Sequence, residues 1–259
     1  MRTLDGKDGR DAPKRVLLLG GTAEANALAN ALGDLPASQV RVCLSLAGRT
    51  RQPSCPPGIE LRIGGFGGVD GLLAHLIEQR IDHLIDATHP FAKQMAAHAA
   101  AAASRAEIPL LKLLRQAWAP MPGDQWTLVE DETAAISALP FAARPFVALG
   151  RQHLSPLALR PDLHPVLRMI EPLETRVHPK AEVILAGPSK TPGEEAVVFR
   201  RLGITHLVCR NAGGLASYPK VEAARQLGLP VMMISRPPAP GHGIIKAHVS
   251  EIVAHLMSA

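Results

Sequence analysis

Short runs of leucine and β-branched residues alternate with longer helical stretches along this chain. The first run is apolar at every position from Val16 to Leu19 rather than at every second position, which is typical of a strand buried on both faces of a parallel sheet. The runs in the first half are RVLLLG (15–20), QVRVCLSL (39–46), IELRIGGF (59–66), HLIDA (83–87) and IPLLKLLR (108–115). The helical stretches between them are 22–33, 68–80 and about 90–107. The alternation predicts an α/β fold in which helices cover a parallel sheet.

A second series of the same kind follows, and it ends in a helix at about 246–257. The segment RQAWAPMPGDQ (115–125), rich in proline and glycine, separates the two series. We therefore predict a flexible lead-in over 1–13, an N-terminal domain over 14–115 and a C-terminal domain over 116–259. Each domain is expected to be a doubly wound parallel-sheet lobe, with a ligand cleft between the lobes. A strand that crosses from one lobe to the other would leave no signal in the sequence.

The composition excludes several classes of protein. With 259 residues and 47% apolar content, the chain can bury a core and is too apolar to be disordered throughout. It has no apolar run near the ~18 residues of a membrane helix, and its polar N-terminus is unlike a secretion signal. Three cysteines without CxxC spacing argue against disulfides and structural zinc. A net charge of +5 with 3% aromatic residues does not favour nucleic-acid binding, so we expect a cytoplasmic protein with a small-molecule ligand.

Nearly every predicted strand ends in glycine, arginine, asparagine or histidine. In an open α/β sheet, ligands bind at the carboxyl ends of the strands. These ends are Gly20-Gly21-Thr22, 47–51, 64–68, Thr88-His89-Pro90, 150–152, 187–190, 211–214 and Arg236-Pro237. Glycine at turns is also expected for geometry alone. So many such ends together nevertheless indicate a ligand site.

The turn Gly20-Gly21-Thr22 joins the first strand to its helix and continues into Ala23 and Glu24. A glycine at this point lets the backbone approach a pyrophosphate, and the helix N-terminus supplies N–H donors. The dinucleotide fingerprint G-x-G-x-x-G/A is absent, however, and a tight turn capped by Thr22 explains the same residues. The turn alone leaves both interpretations open.

The end of the second strand bears on the choice of cofactor. NAD-binding proteins usually carry Asp or Glu there, whereas Arg accommodates a 2′-phosphate. This chain has Ser45, Arg49 and Arg51, and the next acidic residue is Glu60. A solvated loop is the alternative interpretation. Together with the preceding glycine turn, the arginines favour NADP over NAD.

The fourth strand ends in Thr88-His89-Pro90, with the proline at the first position of the next predicted helix. Capping accounts for Thr88 or His89 without any ligand. The functional interpretation places His89 beside a nicotinamide or a substrate carboxylate, and makes it the candidate catalytic residue.

Other chemistries lack their motifs. The single tyrosine, Tyr218, is followed four residues later by Glu222 rather than by the lysine of a short-chain dehydrogenase. The chain has no P-loop and no G-x-S-x-G elbow. His248, Glu251 and His255 lie on the solvent face predicted for the last helix, so we expect no metal site.

Several of these motifs together resemble one family, the precorrin-6A reductases of cobalamin biosynthesis. The motifs are RVLLLGGTAEA (15–25), SLAGRT (45–50), RIGGFGG (62–68), DATHPFA (86–92), NAGG with KVEAA (211–214 and 220–224) and ISRP (234–237). They cover the chain in order, apart from the lead-in. Residues 1–13 have no counterpart in the family, and Gly187-Pro188-Ser189 stands where the family has a glycine-proline-aromatic turn.

The resemblance implies two Rossmann-like lobes and the reduction of one carbon–carbon double bond of precorrin-6A by NADPH, giving precorrin-6B. The residues expected to bind the cofactor are Gly20, Gly21, Thr22, Ala23, Glu24, Ser45, Arg49, Arg51, Gly64, Gly65, Phe66, Thr88 and His89. The substrate is a flat tetrapyrrole with many carboxylates. Its expected ligands in the second lobe are Arg151, Ser189, Lys190, Asn211, Gly213, Gly214, Lys220 and Arg236. We expect a monomer that meets neighbouring pathway enzymes only transiently.

Three questions stay open at this point. The proton that completes the reduction could come from water, from His89 or from an acid of the substrate. The same reaction on a cobalt-containing substrate, with NADH or NADPH, is an alternative, and the arginines after the second strand favour NADPH. A non-catalytic nucleotide-sensing module is another alternative, but it has no use for the glycine- and cation-rich strand ends of the second lobe.

Overall fold

The computed structural model describes residues 12–48, 55–239 and 241–258. The chain forms two compact units. The first contains the described residues up to Arg115 together with those from Pro237 onward, and the second runs from Gln116 to Arg236. None of the described helices is long and apolar enough to cross a membrane.

The first unit is a six-stranded parallel sheet with helices on both faces. Its elements are β1 (Lys14–Leu19), α1 (Ala23–Gly33), β2 (Val40–Leu46), β3 (Glu60–Ile63), α2 (Val69–Glu78), β4 (His83–Asp86), α3 (Lys93–Arg105), β5 (Leu110–Leu113), β12 (Ile244–Lys246) and α7 (Val249–Ser258). The strand order is β12-β5-β4-β1-β2-β3. The chain therefore reverses direction across the sheet between β1 and β4, which is where ligands bind in open α/β sheets.

The residues of β1 explain why this sheet is buried on both sides. Val16 and Leu18 pack with α1 and α7 on one face, and Leu17 and Leu19 pack with α2 and α3 on the other. The helix α1 turns one stripe toward this sheet at helical spacing, formed by Ala25, Leu28, Ala29 and Leu32. A continuous apolar strand is thus the pattern that a two-faced parallel sheet requires.

The second unit is also a six-stranded parallel sheet. Its elements are β6 (Trp126–Val129), α4 (Glu132–Ser137), β7 (Pro145–Ala148), two 3-10 helices (Arg151–His153 and Ser155–Leu159), β8 (Val166–Met169), β9 (Glu182–Leu185), α5 (Pro192–Arg201), β10 (His206–Arg210), α6 (Pro219–Gln226) and β11 (Val231–Ile234). The order is β6-β11-β10-β7-β8-β9, so the reversal lies between β7 and β10. The two sheets confirm the predicted α/β class.

A buried ion pair lies within the core of the second unit. Arg168 of β8 pairs with the fully buried Glu195 of α5, and its guanidinium stacks 4.7 Å from the Phe146 ring centre. Phe146 in turn packs on Phe199, with ring centres 4.8 Å apart. The sequence pattern does not predict this ion pair, because Arg168 and Glu195 lie on a strand and a helix that are separated by β9 in the chain.

The C-terminal segment differs from the predicted division at residues 116–259. β12 pairs with β5 of the first sheet, with Ile244 opposite Leu111, and Ile252 and Leu256 of α7 are buried in the same core as α1. The second domain accordingly ends at Arg236. The sequence of β12, only three residues long, does not indicate which sheet the strand joins. The prediction therefore followed chain order and assigned the strand to the C-terminal domain.

Candidate functional site

The turns after β1 and β4 lie side by side at the reversal point of the first sheet. The Thr22 hydroxyl donates a hydrogen bond to the Ala87 carbonyl at 2.9 Å, and the Ala87 amide donates to the Leu19 carbonyl. Thr22 also caps α1, because its hydroxyl oxygen accepts the amide N–H of Ala25 at 3.0 Å. The Thr22 side chain thus fixes the N-terminus of α1 against the residue that follows β4.

The two glycines after β1 have different roles. A Cβ on Gly20 would lie 2.7 Å from Leu44 Cδ1, so this glycine lets β1 and β2 pack closely. Gly21 has a φ of +108°, and a Cβ there would meet nothing within 4 Å. Gly21 therefore borders open space at the N-terminus of α1, where the first-turn N–H groups of Ala23 and Glu24 have no intrahelical acceptor. Such a cradle fits the pyrophosphate of a dinucleotide.

The carboxylate of Glu24 pairs with Arg115, the last residue before the second unit. Both side chains are largely buried, with exposed fractions of 28% and 16%. The pair holds the first turn of α1 against the segment that follows β5. Sequence analysis counted Glu24 among the cofactor ligands and did not assign Arg115.

The turn after β4 is held by a buried carboxylate. Asp86 Oδ1 accepts hydrogen bonds from the amide of Thr88 at 3.0 Å and from its hydroxyl at 2.6 Å. The other oxygen of Asp86 lies 3.2 Å from the ammonium of Lys112, which is also buried. His89 follows, and its Nδ1 accepts the amide N–H of Phe91 at 3.3 Å. In the neutral ring, this bond leaves the proton on Nε2.

The ends of β2 and β3 meet around one arginine. The guanidinium of Arg62 donates to the carbonyls of Gly64 and Gly65 at 2.7 and 2.9 Å, and lies 3.4 Å from Ser45 Oγ. It also stacks on Phe66, 3.8 Å from the ring centre. The structure therefore brings together Ser45, Gly64, Gly65 and Phe66, four of the residues predicted to bind the cofactor. Arg49 and Arg51 lie outside the described residues.

Three of the residues predicted to bind substrate contact Trp118 in the second unit, and two more, Gly213 and Arg236, lie beside them. The Asn211 amide group accepts from the Trp118 N–H at 2.8 Å and donates to the Trp118 carbonyl at 2.9 Å. The Trp118 indole N–H donates to the Gly214 carbonyl at 3.0 Å, and the Lys220 ammonium lies 5.2 Å from the indole ring centre. The Arg236 guanidinium donates to the Ala212 carbonyl at 2.9 Å.

The polar groups of these residues bond mainly to the backbone of the second unit. Lys220 is buried and donates to the Ser217 carbonyl at 2.5 Å. A Cβ on Gly213, whose φ is +68°, would lie 2.2 Å from the Gln116 carbonyl oxygen. Glycine is therefore needed there for the close approach of the 116–118 segment.

The remaining predicted substrate residues follow other strands. Arg151 is exposed at the start of the 3-10 helix after β7. Ser189 and the exposed Lys190 follow β9, where the Lys190 amide donates to Glu194 Oε2 at 3.0 Å. Since β8 separates β7 from β9, these cations are spread along one edge of the second sheet.

The comparison with known families decides the assignment. The family model described as "Precorrin-6x reductase CbiJ/CobK" matches residues 15–257. The chain belongs to the precorrin-6x reductase CbiJ/CobK family. The match spans both units and confirms the resemblance drawn from the strand-end motifs.

Individual members of the family are similar over most of their length. The chain is 45% identical over 233 residues to a precorrin-6A reductase of Rhodobacter capsulatus, covering 89% of this chain and 91% of the relative. It is 43% identical over 227 residues to a precorrin-6A reductase of Rhodococcus erythropolis, covering 87% and 90%. A solved structure of "CobK precorrin-6A reductase" is 42% identical, with a TM-score of 0.88 and 95% and 96% of the two chains covered.

Sequence analysis missed several polar residues of this CbiJ/CobK-family chain. Arg62 and Lys112 lie near the strand ends of the first sheet. Only Arg62 had a signal in the sequence, since it stands two residues before the pair Gly64-Gly65. In the second sheet, Arg210 at the end of β10 donates from Nε to Glu132 Oε1 at 2.9 Å, and His153 Nδ1 lies 3.5 Å from the same oxygen. Burial opposes ionisation of Glu132, but the hydrogen bond from Arg210 holds its carboxyl pKa below the usual value.

No group of His, Cys, Asp and Glu in the described part of the chain has the arrangement of a metal site. The carboxylates of Glu24, Asp86 and Glu132 pair with Arg115, Lys112 and Arg210. The chemistry that these residues offer is therefore binding and orientation, together with the proton that His89 can carry.

Proposed function

We propose that this chain is a precorrin-6A reductase that uses NADPH to reduce one carbon–carbon double bond of the macrocycle, giving precorrin-6B. The observation that carries the proposal is the open space beside Gly21, at the N-terminus of α1 and at the reversal point of the first sheet. Membership of a reductase family supplies the reaction class. The two named relatives are precorrin-6A reductases, and the similarity to this chain covers 91% and 90% of their lengths.

The first unit would bind the cofactor across the ends of its strands. The amides at Gly21, Thr22, Ala23 and Glu24 face the pyrophosphate, while the Thr88–His89 turn lies on the nicotinamide side. Ser45, Gly64, Gly65 and Phe66 line the side of the adenosine ribose. The bound cofactor supplies a hydride from C4 of its nicotinamide, so the protein mainly has to hold that carbon against the acceptor.

NADPH rather than NADH is supported by charge. The strand β2 ends at Ser45 and Leu46 without a carboxylate that would bind the ribose 2′-hydroxyl and repel a phosphate. Arg49 and Arg51 follow in the sequence. Two cations close to that position would bind a 2′-phosphate through charge-assisted hydrogen bonds.

The second unit would bind the macrocycle through its exposed cations. Arg151 and Lys190, with Ser189, are placed to bind carboxylates. Asn211 acts on the surface indirectly, because it bonds to the backbone of Trp118. Gly213 leaves room for the Gln116 carbonyl, while Lys220 and Arg236 donate to the backbone carbonyls of Ser217 and Ala212. His89 is the residue proposed to give the proton, since it follows β4 directly. The donor form is the imidazolium, which gives up one proton and becomes the neutral ring.

The test is turnover by the full chain with metal-free precorrin-6A and NADPH. We expect the cofactor to be oxidised in step with a gain of two hydrogens in the macrocycle, measured by absorbance and mass spectrometry. NADPH binding without turnover on any precorrin would identify a nucleotide-sensing module. Turnover on the cobalt-loaded substrate alone would identify the cobalt-dependent reaction. In either case the proposal would be wrong.

A further inference from the structure

The guanidinium of Arg62 is held rigidly before any ligand binds. One face lies on the Phe66 ring at 3.8 Å, and its Nη1 and Nη2 donate to the carbonyls of Gly64 and Gly65. The side chain is only partly buried, so the group still reaches solvent. A cation fixed in this way loses little conformational entropy when an anion binds.

The charge of Arg62 is not neutralised within the described residues. No carboxylate in that part of the chain lies within ion-pair distance of it, whereas Glu24, Asp70 and Asp86 of the same unit all have cationic partners. The Nε–H and one Nη2–H also have no acceptor among the described residues. Space is open beside the group, since a Cβ on Gly64 or Gly65 would meet nothing within 4 Å.

The position of the group relates it to one part of a dinucleotide. Its Nη1 lies 3.4 Å from Oγ of Ser45, at the end of β2, and the Gly64 amide donates to the Leu46 carbonyl at 2.9 Å. In folds of this type, the residue at the end of the second strand is the one that meets the adenosine ribose at its 2′ position. The cation is therefore within reach of whatever the ribose carries there.

We infer that Arg62 binds the 2′-phosphate of the cofactor and is a determinant of specificity for NADPH over NADH. The inference rests on the proposed function for the presence of the cofactor, and it adds a residue from β3 to those after β2. A guanidinium with two available N–H donors and no competing carboxylate has the chemistry that a phosphate monoester requires.

The competing explanation is a purely structural one, in which Arg62 only fixes the glycine loop. That role would affect all adenosine ligands equally, whereas a phosphate ligand affects only those that carry the 2′ group. Two probes that differ by this group alone, 2′,5′-ADP and 5′-AMP, separate the two explanations. Their affinities are measured by calorimetry on the full chain.

The variants are Arg62→Met, which keeps the length of the side chain without its charge, and Arg62→Lys, which keeps the charge without the planar fork. Arg41→Met is the matched control, because Arg41 is an exposed arginine near the opposite end of the neighbouring strand β2. Thermal melting of each variant shows whether it is folded. The affinity for 5′-AMP shows whether the loop is intact.

We expect wild-type protein and Arg41→Met to bind 2′,5′-ADP more tightly than 5′-AMP. Arg62→Met should lose about tenfold or more in affinity for 2′,5′-ADP with little change for 5′-AMP, the factor that a charged hydrogen bond is worth. Arg62→Lys should recover part of that loss. Equal losses for both probes, or no loss, would overturn the inference and leave the proposed reductase standing. A wild-type chain that does not distinguish the probes would overturn both this inference and the proposed NADPH preference.

Discussion

The carboxylate of Asp86 lies 3.2 Å from the ammonium of Lys112, and the two side chains are 2% and 11% exposed. The residues are opposite each other in the register of β4 and β5, at the end where the site is formed. Asp86 uses its second oxygen to hold Thr88. An ion pair therefore fixes the backbone turn that leads to His89.

Removing only the cation of this pair should be costly. Lys112→Met leaves the Asp86 carboxylate buried without a counter-charge, so we expect a loss of ~3–5 kcal/mol in the free energy of unfolding. Urea denaturation measures the loss. The double variant Asp86→Leu with Lys112→Met should regain most of the stability but bind NADPH more weakly, because Thr88 is released. A single variant as stable as the wild type would show that the pair contributes little.

Gly21→Val tests the cradle at α1. The branched side chain enters the open space beside the turn and strains a backbone with φ +108°. We expect NADPH binding to be lost in calorimetry while the circular dichroism of the fold persists. Gly203→Val is the control, since that glycine also has positive φ and open surroundings but follows α5. Normal NADPH affinity in the Gly21 variant would place the pyrophosphate elsewhere.

Gly213→Ala tests the packing of the Trp118 segment. The added Cβ would lie 2.2 Å from the Gln116 carbonyl oxygen, so the segment must move and the variant should lose ~3 kcal/mol or more of stability. Gly228→Ala has a similar positive φ, but its nearest neighbour would be the Gln125 side chain at 3.8 Å. That control should lose only ~1 kcal/mol. Chemical denaturation of both variants gives the comparison, and equal losses would refute the packing role.

Arg151→Ala tests the substrate surface. The arginine is exposed after β7, and its removal should raise KM for precorrin-6A about fivefold or more while NADPH affinity stays unchanged. Arg200→Ala removes an equal charge from the C-terminal end of α5 and should leave both values as in the wild type. If the Arg151 variant weakened NADPH binding instead, this residue would belong to the cofactor.

Stability should fall on the acid side of neutrality because of His83. Burial, followed by the positive charge of Lys14, lowers the pKa of this histidine below its usual value of 6.5. The unfolded chain then takes up the proton first, so the contribution is complete above pH 6.5 and is lost progressively below it. Urea midpoints between about pH 5 and 8 measure the effect. His83→Leu should flatten the curve; an unchanged slope would assign the effect to His75 and His206, whose pKa values are also lowered.

The strands and the first turn could be predicted because their signals are local. The run from Val16 to Leu19 is apolar at every position, and Thr22 is the residue type that caps helices. Contacts that depend on how strands pair could not be predicted from the sequence. Lys112 meets Asp86 because β5 lies beside β4, and no property of either segment alone states this. Lys220 was expected to bind a carboxylate of the substrate. Its side chain is buried, and its ammonium lies beside the Trp118 ring and donates to the Ser217 carbonyl.

The pairing of β12 with β5 affects the order in which the two units can fold during synthesis. The chain leaves the first unit at Arg115 and returns to it at Pro237. During synthesis, more than a hundred residues of the second unit leave the ribosome before β12 and α7 do, so the first sheet stays incomplete over that time. Until then β5 is an open edge, and the part of the α1 core that receives Ile252 and Leu256 is uncovered. The second unit, by contrast, is continuous in the chain and can complete its sheet first.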